Sequence, residues 1–259
     1  MYPTLHIGPA AIQTMVVLWF AGLWLGMDIA SRTAARRELP HGFVDSALFW
    51  SLIAGVIAAR LAFVIQYPES YRNDWMGLVS PQPESLNGMV GLIAGAGVMA
   101  WLAWRAGAAF RPLLDALAPG VGIMLAAIAL AQLAEGSPVG LASDVPWAVD
   151  LWDATRHPVQ LYIALPLLIA VGGVWFWRGE RPFAGFDALL IGGVYALAVL
   201  VSSRWYESST TVFDDFRREQ VLAWIALLVI AVLGVWWSRE TDYDGTQINT
   251  EQDQSASSA

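Results

Sequence analysis

Residues 219–237 read EQVLAWIALLVIAVLGVWW, and after Glu219 this stretch has no charged side chain. Its length matches the roughly 20 residues that an α-helix needs to cross a hydrocarbon core of about 30 Å. Because backbone groups in lipid must be satisfied internally, continuous apolar runs predict helices rather than the alternating strands of a barrel. Six further stretches of similar length precede it, at about 10–30, 43–66, 88–106, 112–134, 158–177 and 184–203. The sequence therefore predicts an all-α integral membrane protein with about seven transmembrane helices.

The composition excludes the soluble classes of protein. Of the 259 residues, 57% are hydrophobic, 14% are charged, and none is cysteine. Disulfides, thiolate metal ligands and a cysteine nucleophile are therefore excluded, and we do not expect a metal site. The formal net charge of −8 disfavours a nucleic-acid partner. We expect a single seven-helix domain over 1–238, followed by a disordered, acidic cytoplasmic tail over 239–259.

The distribution of arginine predicts the orientation, because cytoplasmic connections are enriched in basic residues. All 14 basic residues are arginine; one set of alternate connections carries eight of them and the other set five, with Arg60 inside a span. The first connection, RTAARREL at 32–39, is short and strongly basic. We therefore expect the N-terminus outside and the C-terminus in the cytoplasm. The longer connections, at about 67–87, 135–157 and 204–218, then all lie on the outer side.

Arg60 lies about six residues, or ~9 Å, inside the outer end of the second span. A guanidinium at that depth either snorkels to the headgroups or binds an anion in a partly dry pocket. In the second case it would hold a lipid phosphate through two parallel hydrogen bonds, a geometry that lysine cannot provide. Both interpretations of Arg60 stay open at this point.

The segment ATRHPVQLYIA at 154–164 predicts a helix start, because Pro158 suits a first helical turn. Unpaired N–H groups at such a start favour anions, and the adjacent Arg156 and His157 strengthen that preference. His157 is either structural or an acid–base group, since histidine exchanges protons near neutral pH. Tyr162 is either an interfacial aromatic or part of the same site, which would also include Gln160.

Further polar residues stand at the ends of spans. Glu135 ends the fourth span, and Arg204 with Glu207 ends the sixth; each is either a structural cap or ion-pair partner, or a site residue. Asp115 and Asp187, at the other ends, are expected to be helix caps or solvated groups without function. An arginine facing hydrocarbon costs at least ~2.5 kcal/mol. We therefore expect one outer cavity to be approached by Arg60, Glu135, Arg156, His157 and Arg204.

Three segments together resemble the prolipoprotein diacylglyceryl transferase family over about residues 3–235. They are HIGPAAI at 6–12, GVIAARLAFVIQYPESY at 55–71 and VPWAVDLWDATRHPVQLYIAL at 145–165. The third segment is similar to a P-W-A-V stretch that leads into R-H-P-[ST]-Q-L-Y-E in the family. The residues that carry the match are Arg60, Pro146, Trp147, Arg156, His157, Pro158, Gln160, Leu161 and Tyr162.

The resemblance implies a multi-pass enzyme of the bacterial cytoplasmic (inner) membrane. Members transfer the diacylglyceryl group of phosphatidylglycerol to the thiol of a lipobox cysteine, with glycerol phosphate as the leaving product and no cofactor. The implied partners are phosphatidylglycerol, or another anionic phospholipid, and the signal peptide of a prolipoprotein. On this interpretation the catalytic residues are His157 and Glu135, and the substrate-binding residues are Arg60, Arg156, Gln160, Tyr162 and Arg204.

The sequence departs from the family at the end of the fourth span. Where members read close to G-R-x-G-N-F-x-N-G-E, residues 126–135 read AAIALAQLAE, which keeps only the final acid, Glu135. Loss of a buried phosphate-binding arginine typically removes an interaction of roughly 1.5–3 kcal/mol. The alternative is therefore a catalytically silent relative that binds lipid or serves as a subunit of a membrane-protein complex.

Overall fold

The computed structural model describes residues 4–7, 10–37, 39–40, 42–71, 85–152, 154–177, 179–207, 211–213 and 216–257. Among these residues, seven helices are long and apolar enough to cross a membrane. This confirms the predicted all-α, multi-pass membrane protein. The helices are α1 (Thr14–Arg36), α2 (Phe43–Gln66), α3 (Gly88–Arg105), α4 (Phe110–Glu135), α5 (Val159–Phe176), α6 (Phe186–Ser202) and α7 (Arg218–Ser257).

The first helix begins later and ends later than the sequence predicts. Residues Ala10–Gln13 form strand β2, which pairs antiparallel with β1 (Thr4–Ile7) and places Thr4 opposite Gln13. α1 then continues to Arg36, so most of the basic segment predicted as a connection is helical. The hydropathy pattern could not show this, because an apolar strand and an apolar helix segment look alike over four residues.

The last helix extends beyond the predicted end of the membrane domain at residue 238. Its apolar part is Arg218–Glu240, and the helical backbone continues to Ser257. The proposed division into one domain over 1–238 and a disordered tail over 239–259 stays a prediction.

The chain forms two compact units. The main unit consists of Met1–Thr33 and Leu114–Ala259, and the α2–α3 unit consists of Ala34–Leu113. The core of the main unit lies between α4, α5 and α6. Half of the apolar window of α4 is buried, against 39% for α5 and 33% for α6, so α4 is the central helix of its unit. Within this cluster the most deeply buried residues are Ala126, Ala129, Ala164, Leu167 and Ile191.

Glycines allow helices to approach closely within each unit. A Cβ atom added to Gly120 on α4 would lie 2.3 Å from the carbonyl oxygen of Gly26 on α1. In the α2–α3 unit, a Cβ atom on Gly55 would lie 2.9 Å from the carbonyl oxygen of Gly91. Membrane helices lack a hydrophobic drive to associate in lipid, so close backbone packing of this kind is a main source of their association.

Two fully buried carboxylates hold the beginning of α6. Asp115 on α4 accepts hydrogen bonds from the backbone N–H groups of Gly185, at 2.7 Å, and Ala188, at 3.0 Å. Asp187, in the first turn of α6, lies 2.7 Å from Nε of Arg181, which forms an ion pair with it from the connection before the helix. The predicted solvation of Asp115 and Asp187 is therefore wrong. Asp115 is a cap, but it caps α6 from a neighbouring helix.

The other end of the main unit, where α4 and α6 end and α5 and α7 begin, is the loop-rich end. It contains strand β3 (Val149–Leu151) paired antiparallel with β4 (Ala154–Arg156). A second pair, β5 (Thr211–Phe213) with β6 (Phe216–Arg217), precedes α7. A single 3₁₀ turn, Ser203–Trp205, continues α6. The proposed site residues of the main unit lie at this end.

Candidate active site at the loop-rich end

An extended layer brings the two long connections of the main unit together. Residues 139–142 form its middle, between β4 and residues 205–207, with antiparallel pairing on both sides. On one side, the backbone N–H of Leu141 donates to the carbonyl oxygen of Trp205 at 2.7 Å. On the other side, the N–H of His157 donates to the carbonyl oxygen of Leu141 at 3.0 Å. The segment after α4 thus positions His157 relative to Trp205.

Gly140 is required at the centre of this layer. A Cβ atom at this position would lie 2.1 Å from the carbonyl oxygen of His157, far inside van der Waals contact. Any larger residue would push the strand carrying His157 away from residues 139–142.

Arg156 has three hydrogen-bond partners within the layer. Its Nη1 donates to Oε2 of Glu207 at 2.6 Å and to the carbonyl oxygen of Gly140 at 3.1 Å. Its Nε donates to the carbonyl oxygen of Leu151 at 3.2 Å. The side chain of Arg156 is 14% exposed and that of Glu207 50%, so the pair lies at the rim of the layer. Arg156 therefore joins three segments of chain, and its predicted contact with substrate stays a prediction.

His157 belongs to a hydrogen-bonded aromatic cluster with Tyr162 and Trp147. Nδ1 of His157 lies 2.9 Å from the hydroxyl oxygen of Tyr162, and Nε1–H of Trp147 donates to the same oxygen at 2.8 Å. An indole N–H is only a donor, so the tyrosine oxygen accepts there and its own proton is left for Nδ1. From this network we assign the neutral histidine as the tautomer with its proton on Nε2.

Trp205 covers the cluster from the end of α6. Its ring centroid lies 5.5 Å from that of His157 and 5.5 Å from that of Tyr162. These distances are typical of attractive aromatic pairs. The imidazole is thus held by one hydrogen bond and by ring contacts, while its Nε2 has no hydrogen-bond partner among the described residues.

A cavity of about 390 Å³ adjoins this cluster. Arg204 is exposed and forms no hydrogen bond or ion pair with any residue that the structure describes, so its guanidinium is available to a ligand. A second cation, Arg217, also lines the cavity. The described lining residues include two arginines and no carboxylate, which favours an anion, and a guanidinium suits a phosphate geometrically. The described residues that line the cavity are Leu141, Arg204, Trp205, Arg217 and Gln220.

The sequence analysis missed Arg217 as a site residue. Its Nη1 donates to the backbone carbonyl oxygens of Ser203 and, at 2.8 Å, Tyr206. Because Arg217 adjoins Arg218 just before an apolar span, it looks like an ordinary interfacial cation in the sequence. Only the pairing of distant segments shows that it points back to the end of α6.

Tyr206 is buried behind the same turn. Burial raises the pKa of its hydroxyl above the ordinary value of 10.0, a hydrogen bond with Ser202 lowers it, and the charge of Glu219 raises it further. The phenol is therefore neutral throughout the physiological range, so it contributes a dipole to the loop-rich end and no charge.

The remaining predicted residues of the main unit have different surroundings. Gln160 is 1% exposed and its Nε2 donates to the carbonyl oxygen of Pro138 at 2.8 Å, which ties α5 to the segment after α4. Glu135, the last residue of α4, is exposed and forms no hydrogen bond or ion pair with the described residues. The predicted substrate role of Gln160 and catalytic role of Glu135 stay predictions.

Arg60 belongs to the α2–α3 unit. Its Nη1 donates to the carbonyl oxygen of Ser85 at 2.9 Å, and its side chain is partly buried. Asn87, nearby in sequence, caps α3 by accepting a hydrogen bond from Val90 and donates its backbone N–H to Ala59. Arg60 thus takes part in the junction between α2 and α3, and its predicted place in a shared phosphate site stays a prediction.

A sequence model of the prolipoprotein diacylglyceryl transferase family matches residues 3–237. This chain belongs to that family. The phosphatidylglycerol–prolipoprotein diacylglyceryl transferase of Aliivibrio salmonicida is 25% identical over 98% of this chain and 93% of its own. The protein of the same name from Vibrio parahaemolyticus is 25% identical over 95% and 94%, and that from Bordetella avium 28% over 76% and 78%.

Membership of the diacylglyceryl transferase family confirms the resemblance stated from the sequence. The match includes α1 to α6 and α7 as far as Trp237, so both long connections of the loop-rich end lie within it. The relatives named here share one enzyme name and give no support to a silent subunit of a membrane complex.

Proposed function

We propose that this chain transfers a diacylglyceryl group from phosphatidylglycerol to the lipobox cysteine of prolipoproteins, at the loop-rich end of the main unit. The observation that carries the proposal is the family match over residues 3–237, nearly the whole chain. We further propose that the protein resides in the bacterial inner membrane with the loop-rich end outside. The partners are then a phosphatidylglycerol molecule and the signal peptide of a prolipoprotein, and no cofactor takes part.

The chemistry requires a nucleophilic sulfur and a stabilised phosphate leaving group. A C–S bond forms between the cysteine and the terminal glyceryl carbon, the C–O bond to the phosphate breaks, and glycerol phosphate leaves with the electron pair. The thiol proton passes to a base or, finally, to the leaving group. A site for this reaction needs fixed cations where negative charge develops.

Arg204 fits the role of the phosphate-binding cation. It is exposed, lines the cavity, and has no competing partner among the described residues. Its two forked N–H groups can each donate to one phosphate oxygen. A bond of this kind typically contributes roughly 1.5–3 kcal/mol, and more where it strengthens in the transition state.

His157 fits the role of proton carrier. In the tautomer assigned from the Trp147–Tyr162 network, Nε2–H can donate a hydrogen bond to a phosphate oxygen, but the neutral ring gives up no proton. In the other neutral tautomer Nδ1–H donates to the Tyr162 oxygen, and Nε2 takes the thiol proton. The imidazolium formed in this way then passes that proton to an oxygen of the leaving glycerol phosphate. Glu135 remains the alternative base proposed from the sequence.

Transfer by purified protein tests the proposal. The protein is placed in liposomes that contain phosphatidylglycerol with a labelled diacylglyceryl group, and a lipobox peptide is added. We expect labelled peptide and free glycerol phosphate to appear in equal amounts. A peptide with serine in place of cysteine is the matched control and should remain unlabelled. Absence of labelled cysteine peptide, with folded protein present, would contradict the proposed function.

A further inference from the structure

Arg217 reaches back across the loop-rich end to the turn that ends α6. One nitrogen, Nη1, donates to the carbonyl oxygens of both Ser203 and Tyr206. These two carbonyls bracket Arg204 and Trp205, the two members of the turn whose side chains line the cavity. A single guanidinium thus holds both ends of the segment that presents them.

We propose that Arg217 is a positioning residue, which fixes the Ser203–Tyr206 turn so that Arg204 meets the phosphate of a bound anionic lipid. The identity of the ligand rests on the proposed function, whereas the attachment of Arg217 to the turn does not. Arg217 acts through Arg204 and makes no necessary contact with the phosphate.

Leu141 already donates its backbone N–H to the carbonyl oxygen of Trp205, and for the carbonyls of Ser203 and Tyr206 the turn relies on Arg217, because its own hydrogen bonding is sparse. The last carbonyls of a helix have no partner within the helix, and a single 3₁₀ turn is a weak continuation of it. Within this turn the N–H of Tyr206 reaches the carbonyl oxygen of Ser203 at 3.3 Å, a long hydrogen bond. A cation at a helix C-terminus also interacts favourably with the helix dipole. Arg217 supplies both the donor and the charge.

The two side chains carried by the turn are sensitive to its position. The guanidinium of Arg204 has no hydrogen bond to any described residue that would fix its direction. The position of the Arg204 side chain is therefore set by the backbone of the turn. Trp205 contacts His157 and Tyr162 at centroid distances of 5.5 Å. Misplacement by about 1 Å is enough to lower a catalytic rate strongly. Loss of Arg217 therefore weakens phosphate binding although no phosphate contact is removed.

A double-mutant cycle on lipid binding tests this proposal. The proteins are wild type, Arg204→Gln, Arg217→Gln and the double variant, and the probe is short-chain phosphatidylglycerol titrated into purified protein in neutral detergent. Glycerol phosphate is titrated in parallel to separate headgroup binding from binding of the whole lipid. The matched control is Arg218→Gln, which removes the same charge from the next residue, exposed and outside the cavity lining.

We expect Arg204→Gln and Arg217→Gln each to weaken binding at least tenfold, about 1.4 kcal/mol. The double variant should bind within about threefold of either single variant, because a positioning residue has nothing left to position once Arg204 is gone. Arg218→Gln should bind within twofold of wild type. If Arg217→Gln does not fold, Arg217→Lys replaces it; its shorter side chain stretches both bonds, so a smaller but equally non-additive loss is expected.

Additive losses in the double variant would overturn the proposal, because Arg217 would then bind the lipid independently of Arg204. Equal behaviour of Arg217→Gln and Arg218→Gln would overturn it as well, as would a wild type that binds no better than Arg204→Gln. The cycle needs no prolipoprotein. If the wild type transfers no diacylglyceryl group, the proposed function is wrong. The lipid-binding cycle still decides whether Arg217 positions Arg204.

Discussion

Arg156 and Glu207 are 51 residues apart in sequence, and Nη1 of the arginine lies 2.6 Å from Oε2 of the glutamate. The pair connects the beginning of α5 to the segment after α6, across residues 139–142. The best-kept part of the family motif, R-H-P, thus begins with a residue that holds the site together, followed by His157, whose ring adjoins the cavity wall at Trp205.

Replacing Arg156 should destabilise the loop-rich end. Arg156→Ala removes one ion pair and two hydrogen bonds to backbone carbonyls, so we expect a loss of about 2–3 kcal/mol in unfolding free energy. Glu207→Gln should cost less, about 1 kcal/mol, because Glu207 is half exposed and the pair is partly screened. Unfolding of both variants and of their combination in detergent measures the coupling between them. A coupling of zero would show that the pair does not stabilise the layer.

Substitutions in the Trp147–Tyr162–His157 network should lower activity more strongly the closer they are to His157. Tyr162→Phe removes the partner of Nδ1, and we expect at least a tenfold fall in kcat/KM for transfer. Trp147→Phe leaves Tyr162 without its donor, and about a threefold fall is expected. Trp152→Phe is the control, since this exposed indole donates to the carbonyl oxygen of Gly136 and to no other described residue. An equal fall for Trp147→Phe and Trp152→Phe would contradict a specific role for the network.

Asp115 should be important for stability. Asp115→Asn loses the charge of a fully buried carboxylate that accepts two N–H groups at the start of α6, and we expect a loss of about 2–3 kcal/mol. Asp144→Asn, in an exposed position of the same unit, is the control and should change stability by less than about 0.5 kcal/mol. Thermal unfolding in detergent measures both. Equal stability of the two variants would refute the cap.

The orientation predicted from arginine placement can be tested with a single cysteine, since the natural chain has none. Ser257→Cys places a thiol near the C-terminus, and we expect it to resist an impermeant thiol reagent in intact cells and to react after lysis. Labelling before lysis would place the C-terminus outside and the loop-rich end on the cytoplasmic side. The proposed function requires the loop-rich end to be outside, so this result would contradict it.

The sequence predicted the elements that depend on local pattern. Apolar length located seven spans, and Pro158 located the start of α5, which begins at Val159. Hydropathy could not locate the ends of α1 or α7, because a helix continues into polar residues wherever its backbone bonds can form. It also could not show that Asp115 is buried, since an aspartate near a helix end is far more often solvated.

The contacts that build the site depend on pairing between distant segments. Residues 139–142 pair with 155–157 on one side and with 205–207 on the other, and no periodicity in the sequence predicts either pairing. The partners of Arg156 and the reach of Arg217 follow from that layer. A sequence analysis therefore found Arg156, His157, Tyr162 and Arg204 as residue types suited to an anion site, but assigned Arg156 no structural partner and overlooked Arg217.

The transfer rate of Arg204→Gln relative to Arg218→Gln tests the central claim most directly. Each variant removes one positive charge, Arg204→Gln at the end of α6 and Arg218→Gln at the start of α7. Of these two arginines, Arg204 lines the cavity and Arg218 does not. In liposomes with labelled phosphatidylglycerol and a lipobox peptide, we predict that Arg204→Gln lowers kcat/KM at least tenfold, about 1.4 kcal/mol of transition-state stabilisation. Arg218→Gln should stay within twofold of wild type. Equal rates for the two variants would show that the cavity is not the phosphate site.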